Sequence, residues 1–134
     1  MIDRDLSHLV EPFHSSIRAA LQDLRAQGWT PYVAETLRSP ERQKLLVQQG
    51  LSRTMASLHL QGLAADVVDG RRVGGYRVLW GATDPAWRLG SDLEATRALA
   101  ARTFFAALGA ACHAHGLTWG GDWARFPDLA HVQA

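Results

Sequence analysis

A chain of 134 residues, 47% hydrophobic and 20% charged, fits one soluble globular domain with a real core; a multidomain, disordered or fibrous protein is not expected. Fourteen Lys and Arg against thirteen Asp and Glu leave a formal +1, scattered along the chain, so no basic stripe points to a nucleic-acid partner. The single Cys112 forms no intrachain disulfide, which leaves the core or a metal to hold the fold.

The first residues, Met1-Ile2-Asp3-Arg4-Asp5, are charged where a secretory leader needs a basic patch and an apolar run. No stretch approaches the ~20 apolar residues of a membrane span. The expectation is a chain without a signal peptide or stable membrane association, held in the cytoplasm unless another agent releases it.

Leu9, Phe13, Ile17, Leu21 and Leu24 recur at helical spacing, predicting a helix over 7–26 that stops at Gly28, with a restart near Pro12. Tyr32-Val33-Ala34 predicts a short strand. Ser39-Pro40 supplies an N-cap and first-turn proline for a second helix ending at Gly50, with Arg38 just outside it. Residues 51–58 read as a loop, and Leu63 to Val68 as a buried strand carrying an acid, Asp66. Asp69-Gly70-Arg71-Arg72 has turn chemistry, predicting a solvated hairpin tip before a return strand over Tyr76 to Trp80.

Gly81 to Gly90 reads as a loop. Ser91-Asp92-Leu93-Glu94 matches a capping box opening a long helix, with Leu93, Ala100, Phe104, Ala107, Leu108 and Ala111 on one face and Gly116 closing it. Leu117 to Trp119 and Leu129 to Gln133 predict short strands about the Gly120-Gly121 turn. The sum is an α+β domain, a small antiparallel sheet packed with about three helices.

The chemistry concentrates in two places. Ser57-Leu58-His59-Leu60-Gln61-Gly62-Leu63-Ala64-Ala65-Asp66 sets a histidine and a carboxylate across a glycine that lets loop turn into strand, so both can face one spot. Asp128-Leu129-Ala130-His131 stands near the other end. Two imidazoles and a carboxylate suit zinc, and three protein ligands with an open fourth position mark a catalytic site. His59, Asp66 and His131 could supply the three, with Asp128 placed to take a proton from a water whose pKa zinc lowers to about 7. Spacing alone leaves plainer readings open: solvated histidines, or Asp66 capping a turn or pairing with Arg38.

Other residues read as structural. His113 and His115 suit the last turn of the long helix, and Cys112 an inert core or boundary position. Asp122 suits an Asx turn. Trp119 and Trp123 are core aromatics by default, either being able to wall a cleft. Trp80 and Trp87 fit core or cleft equally.

Arg38-Ser39-Pro40-Glu41-Arg42-Gln43, Ser57-x-His59-x-x-Gly62-x-Ala64-x-Asp66 and Trp119-Gly120-Gly121-Asp122-Trp123-x-x-Phe126-x-Asp128-x-x-His131-x-Gln133 together resemble the zinc-dependent peptidoglycan peptidases. That family includes D-alanyl-D-alanine carboxypeptidases and L-alanyl-D-glutamate endopeptidases, phage endolysins among them. The motifs follow the family's order over residues 38–133; residues 1–37 resemble its N-terminal helix more loosely.

The resemblance implies one Zn2+ per chain on His59, Asp66 and His131, with the site on the sheet. It also implies Asp128 as general base and Arg38 as a catalytic and substrate-holding residue, whose planar fork offers two donors to a carboxylate or oxyanion. Ser57 either hydrogen-bonds substrate or orients its loop, and Trp123 is the candidate for the cleft wall. Some relatives carry Glu in place of Asp128, so the shorter acid has to sit nearer the water.

The Trp-Gly-Gly-Asp-Trp segment resembles the endopeptidase branch. The expected protein is thus a single catalytic domain over 1–134, without a separate wall-binding domain, cutting the L-Ala–D-Glu bond of the peptidoglycan stem peptide. Its expected setting is a monomeric phage endolysin, kept in the host cytoplasm until holin-dependent release to the periplasmic wall. The alternatives are a D-alanyl-D-alanine carboxypeptidase and a non-catalytic cell-wall-binding zinc module.

Overall fold

The structure is a computed structural model describing residues 2–73, 76–79, 92–125 and 127–134. Asp5 caps a short 3-10 turn over Leu6–His8. The first helix, α1, then runs Phe13–Ala26 with Pro12 at its N-cap, burying Phe13, Ile17, Ala20, Leu21 and Leu24. The apolar spacing is as read. The helix starts later than residue 7 because the chain spends residues 6–8 in the separate turn and restarts behind Pro12, whose ring nitrogen has no proton to give a preceding turn.

Strand β1, Pro31–Glu35, leads to helix α2, Pro40–Gln48, whose N-cap Ser39 accepts from the Arg42 amide. A 3-10 turn over Leu58–Gln61 precedes β2, Ala64–Val73, and β3 spans Tyr76–Leu79. Helix α3 runs Asp92–Ala114, followed by β4 at Thr118–Trp119, a 3-10 turn over Gly120–Asp122 and β5 at His131–Gln133. Leu129 and Ala130 form a turn in front of β5, two residues later than the predicted strand start.

All pairings are antiparallel, and β2 is the hub. Asp66 is in register with both Glu35 of β1 and His131 of β5, and Asp69 with both Pro31 of β1 and Leu79 of β3. It follows that β5 and β3 share the edge of β2 opposite β1, with β4 outside β5. The α+β architecture is confirmed, with one correction: Asp69-Gly70-Arg71-Arg72 is strand, not hairpin tip. Asp69 is fully buried and paired with Arg71 at 2.7 Å, and the Arg71 guanidinium lies over the Trp29 ring. Gly70 permits close approach of β1, since a Cβ there would come within 3.0 Å of the Thr30 carbonyl oxygen. Burial and pairing override the local turn propensity.

The core lies between α1, α3 and the sheet, built on Phe13, Ile17, Leu21, Phe104, Leu108 and Val67. Phe104, Leu108 and Ala111 of the predicted α3 face are buried, and Gly116 takes the left-handed conformation at the end, as expected. Cys112 is buried in the core, where desolvation pushes its thiol up to about 12. Ser91, Trp80, Trp87, Phe126, the Gly74-Gly75 pair and the Gly81 to Gly90 stretch lie outside the described residues, as do the side chains of Leu93, Glu94 and Ala100.

Candidate metal centre and cleft

His59 sits in the 3-10 turn that Ser57 caps, its hydroxyl oxygen accepting from the His59 amide at 3.2 Å. That hydrogen bond fits the loop-orienting alternative for Ser57. Gly62 then takes φ +71°, turning the chain into β2. A Cβ there would stand 3.1 Å from the His8 carbonyl oxygen as well as straining the backbone. Four residues on, Asp66 enters the sheet beside His131.

His59, Asp66 and His131 are all buried, and one potential ligand atom from each lies within 4.8 Å of the others. His59 Nε2 is 3.5 Å and His131 Nδ1 3.6 Å from Asp66 Oδ1. Each ring's other nitrogen is anchored: His59 Nδ1 to the Thr36 carbonyl at 2.8 Å, His131 Nε2 to Gln133 Oε1 at 2.9 Å. Outer acceptors of this kind fix the tautomer and turn the remaining lone pair inward, as ligating histidines require. Two imidazoles and a carboxylate with one inward atom each form a donor set that fits zinc.

Burial disfavours charge on Asp66, but its contacts with His131 and His59 outweigh this and hold it well below the usual carboxylate range. Burial likewise opposes protonation of His131, yet the Asp66 contact raises its pKa. Asp128 stands at the cleft rim, its amide donating to the Gly120 carbonyl and its own carbonyl accepting from His131 N. Desolvation by the surrounding protein, followed by the Asp66 charge, raises its pKa.

Across the cleft, Arg38 is buried and committed. Its Nε and Nη2 donate to Glu35 Oε1 at 3.1 and 2.6 Å, Nη1 to Gln43 Oε1 at 2.8 Å, and Nη2 reaches Asp66 Oδ2 at 3.5 Å. The edge of the fork that would grip a carboxylate is held by Glu35, which leaves the second Nη1 proton and the Nη2 proton near Asp66. Arg42 donates to the same Glu35 through Nε and Nη2. Glu35 carries no motif signal and sequence reasoning does not single it out, while Gln43 closes the Arg38-to-Gln43 motif without its role being read there.

Trp123 is partly exposed, its ring 5.0 Å from that of His131. The cleft, of about 970 Å³, is lined by the cluster, Asp128, Ser57, Trp123 and the arginine wall. Trp119 is instead half-buried, donating its indole N–H to the Leu129 carbonyl at 2.7 Å. His113 pairs with Asp122 at 2.5 Å and His115 with Asp23 at 2.6 Å, both away from the cluster; Asp122 thus ties its turn to the end of α3.

Residues 51–134, the part holding the whole cluster and Asp128, match the family model described as D-alanyl-D-alanine carboxypeptidase. Over 129 residues the chain is 31% identical to the L-alanyl-D-glutamate peptidase of Listeria phage A118, covering 96% of this chain but only 39% of that relative's length. The fold is similar to that of the Serratia marcescens L-Ala D-Glu endopeptidase ChiX, with a TM-score of 0.61, 30% identity and coverage of 99% of this chain and 87% of that one. With the match extending over the cluster, the chain belongs to the D-alanyl-D-alanine carboxypeptidase family.

Proposed function

We propose that the chain is a zinc metallopeptidase that hydrolyses the L-Ala–D-Glu bond of the peptidoglycan stem peptide. The observation that carries this reading is the buried His59–Asp66–His131 cluster with Asp128 at its rim. The two relatives named for L-alanyl-D-glutamate cleavage support the choice of bond.

His59 Nε2, Asp66 Oδ1 and His131 Nδ1 would hold the ion. A zinc ion there supplies Lewis acidity toward a carbonyl and acidifies water. Asp128, with its pKa raised toward the working range of a general base, accepts the proton of the attacking water on a carboxylate oxygen and returns it to the leaving amine. Arg38 offers its remaining N–H groups to the carbonyl oxygen as negative charge develops, an interaction that strengthens where water is excluded. Ser57 and Trp123 line the path of the peptide.

The proposed setting is a monomeric phage endolysin made in the host cytoplasm, released with holin help, acting on the periplasmic wall. The phage relative supports it. No helix among the described residues is long and apolar enough to cross a membrane.

The family's description favours a second reading, a D-alanyl-D-alanine carboxypeptidase. Mass spectrometry of purified Gram-negative sacculi digested with and without a chelator separates the two. Chelator-sensitive release of peptides beginning at D-Glu is expected, with Asp128→Ala slower by about 10²–10⁴-fold. Free D-Ala alone would establish the carboxypeptidase, and sacculus binding without any product a non-catalytic module.

A further inference from the structure

The arginine wall carries more positive charge than the site chemistry uses. Glu35 is buried and shared by two guanidinium groups, Arg38 and Arg42. Arg38 is largely engaged by Glu35, Gln43 and Asp66. Arg42 spends only its Nε–Nη2 edge, and among the described residues its Nη1 has no protein partner. Its side chain remains partly open to the cleft. Arg4 lines the same cleft, exposed, with its guanidinium 5.8 Å from the centre of the Tyr32 ring. Beyond the metal cluster, three arginines therefore share the cleft lining with two carboxylates, Glu35 and Asp128, and the excess cation calls for an anion from the ligand.

Register places this excess. Glu35 stands opposite Asp66, and Tyr32 opposite Val68, so the wall begins beside the cluster and continues two residues along the sheet, roughly 7 Å. In a muramyl-linked stem peptide the L-Ala side of the scissile bond has no free carboxylate. The D-Glu side has one directly next to that bond, because D-Glu is joined onward through its γ-carboxyl.

We propose that Arg42, assisted by Arg4, forms a carboxylate subsite that takes the free α-carboxylate of D-Glu on the leaving-group side, making the enzyme selective for D-Glu over its α-amide, D-isoglutamine. The inference rests on the endopeptidase reading above. A guanidinium gives a carboxylate two charge-assisted hydrogen bonds, whereas an amide offers one neutral acceptor and brings donors that face the arginine.

The test compares kcat/KM on two synthetic muramyl tripeptides, identical except for D-Glu or D-isoglutamine, using the zinc-loaded full chain. The wild type should prefer the carboxylate by roughly tenfold or more, as a charged hydrogen bond warrants. Arg42→Gln should bring the ratio toward one, mainly by raising KM for the D-Glu peptide. Arg4→Gln, which leaves the Glu35 pairs intact, should lower the ratio in the same direction and keeps the test decisive if Arg42→Gln fails to fold. Equal wild-type rates on the two peptides would overturn the subsite while leaving the endopeptidase reading standing. Cleavage of neither would overturn that reading and the subsite with it.

Discussion

Arg38 and Gln43 hold each other, Arg38 Nη1 donating to Gln43 Oε1 at 2.8 Å, and Gln43 is the only buried residue of α2. Its Nε2 donates onward to Ser52 Oγ at 2.8 Å and the Thr54 carbonyl at 2.6 Å. One amide thus ties the helix, the arginine and the loop beyond. Gln43→Ala leaves buried partners unsatisfied and should cost about 1–3 kcal/mol. Hydrogen exchange should rise in residues 50–56 while α1 and α3 keep their protection; uniform protection throughout would refute the tie.

Metal content tests the cluster apart from catalysis. The dialysed wild type should bind one zinc per chain, and Asp66→Ala should bind none at equal protein and metal concentration. Gln133→Ala removes only the acceptor behind His131 Nε2, so its zinc affinity should drop about 10–100-fold with the site still fillable. Competition against a chromophoric chelator reads all three, and an unchanged affinity in Gln133→Ala would show that His131 needs no such support.

Acid should reveal the Glu35 pairs. Burial alone raises the pKa of this carboxyl, but hydrogen bonds from Arg42 and Arg38 reverse the effect and set it below the ordinary range. A folded-state pKa below the unfolded one gives stability that is full above the unfolded value, about 4.3, and fades as pH falls through the folded value. Removing one partner of a buried pair costs about 3–5 kcal/mol. At pH 7 the metal-free Glu35→Gln variant should therefore melt well below the wild type, and the gap should close on acidification from pH 5 toward pH 3. A gap constant with pH would mean the charge on Glu35 contributes nothing.

Gly120 is a tight point beside the site: a Cβ there would fall 2.3 Å from the Asp128 carbonyl oxygen and 3.0 Å from His131 Cβ. Gly120→Ala must push the Asp128 turn away, for an expected loss of about 1–3 kcal/mol. Zinc affinity and hydrolysis should fall together in this variant, whereas Asp128→Ala should lose hydrolysis and keep the metal.

Cys112 offers a negative test. Buried, and with a thiol pushed up to about 12, it has almost no thiolate at neutral pH. Iodoacetamide should label it only in denaturant, and rapid labelling of the native protein would contradict its place in the core.

What the sequence makes legible is local. Gly62 and its flanking His59 and Asp66 announce the centre because one turn joins them, and Ser39-Pro40 announces α2 because capping acts within a turn. Glu35 and the Thr36 carbonyl are invisible for a different reason. Glu35 meets Arg38 and Arg42 only because the chain turns from β1 into α2, and the Thr36 carbonyl meets the distant His59, so nothing in their own neighbourhoods distinguishes them from solvated polar groups. Arg38 is half legible: its position reads from the motif, but the Glu35 contact that occupies its fork does not. Asp69-Gly70 misleads because turn-forming residues can also sit in a strand when burial and a bulky neighbour hold them there.

The single row formed by Glu35, Asp66 and His131 across three strands has a consequence for biosynthesis. The third candidate ligand arrives on β5, the last strand among the described residues, with all of α3 lying between it and the second, and a slip of one residue in that strand would turn its imidazole to the far face. A nascent chain on the ribosome therefore carries an incomplete ligand set until β5 has emerged and docked. The cluster is completed in one late closing step rather than gradually, so on the proposed function unfinished or truncated copies of the domain stay inert.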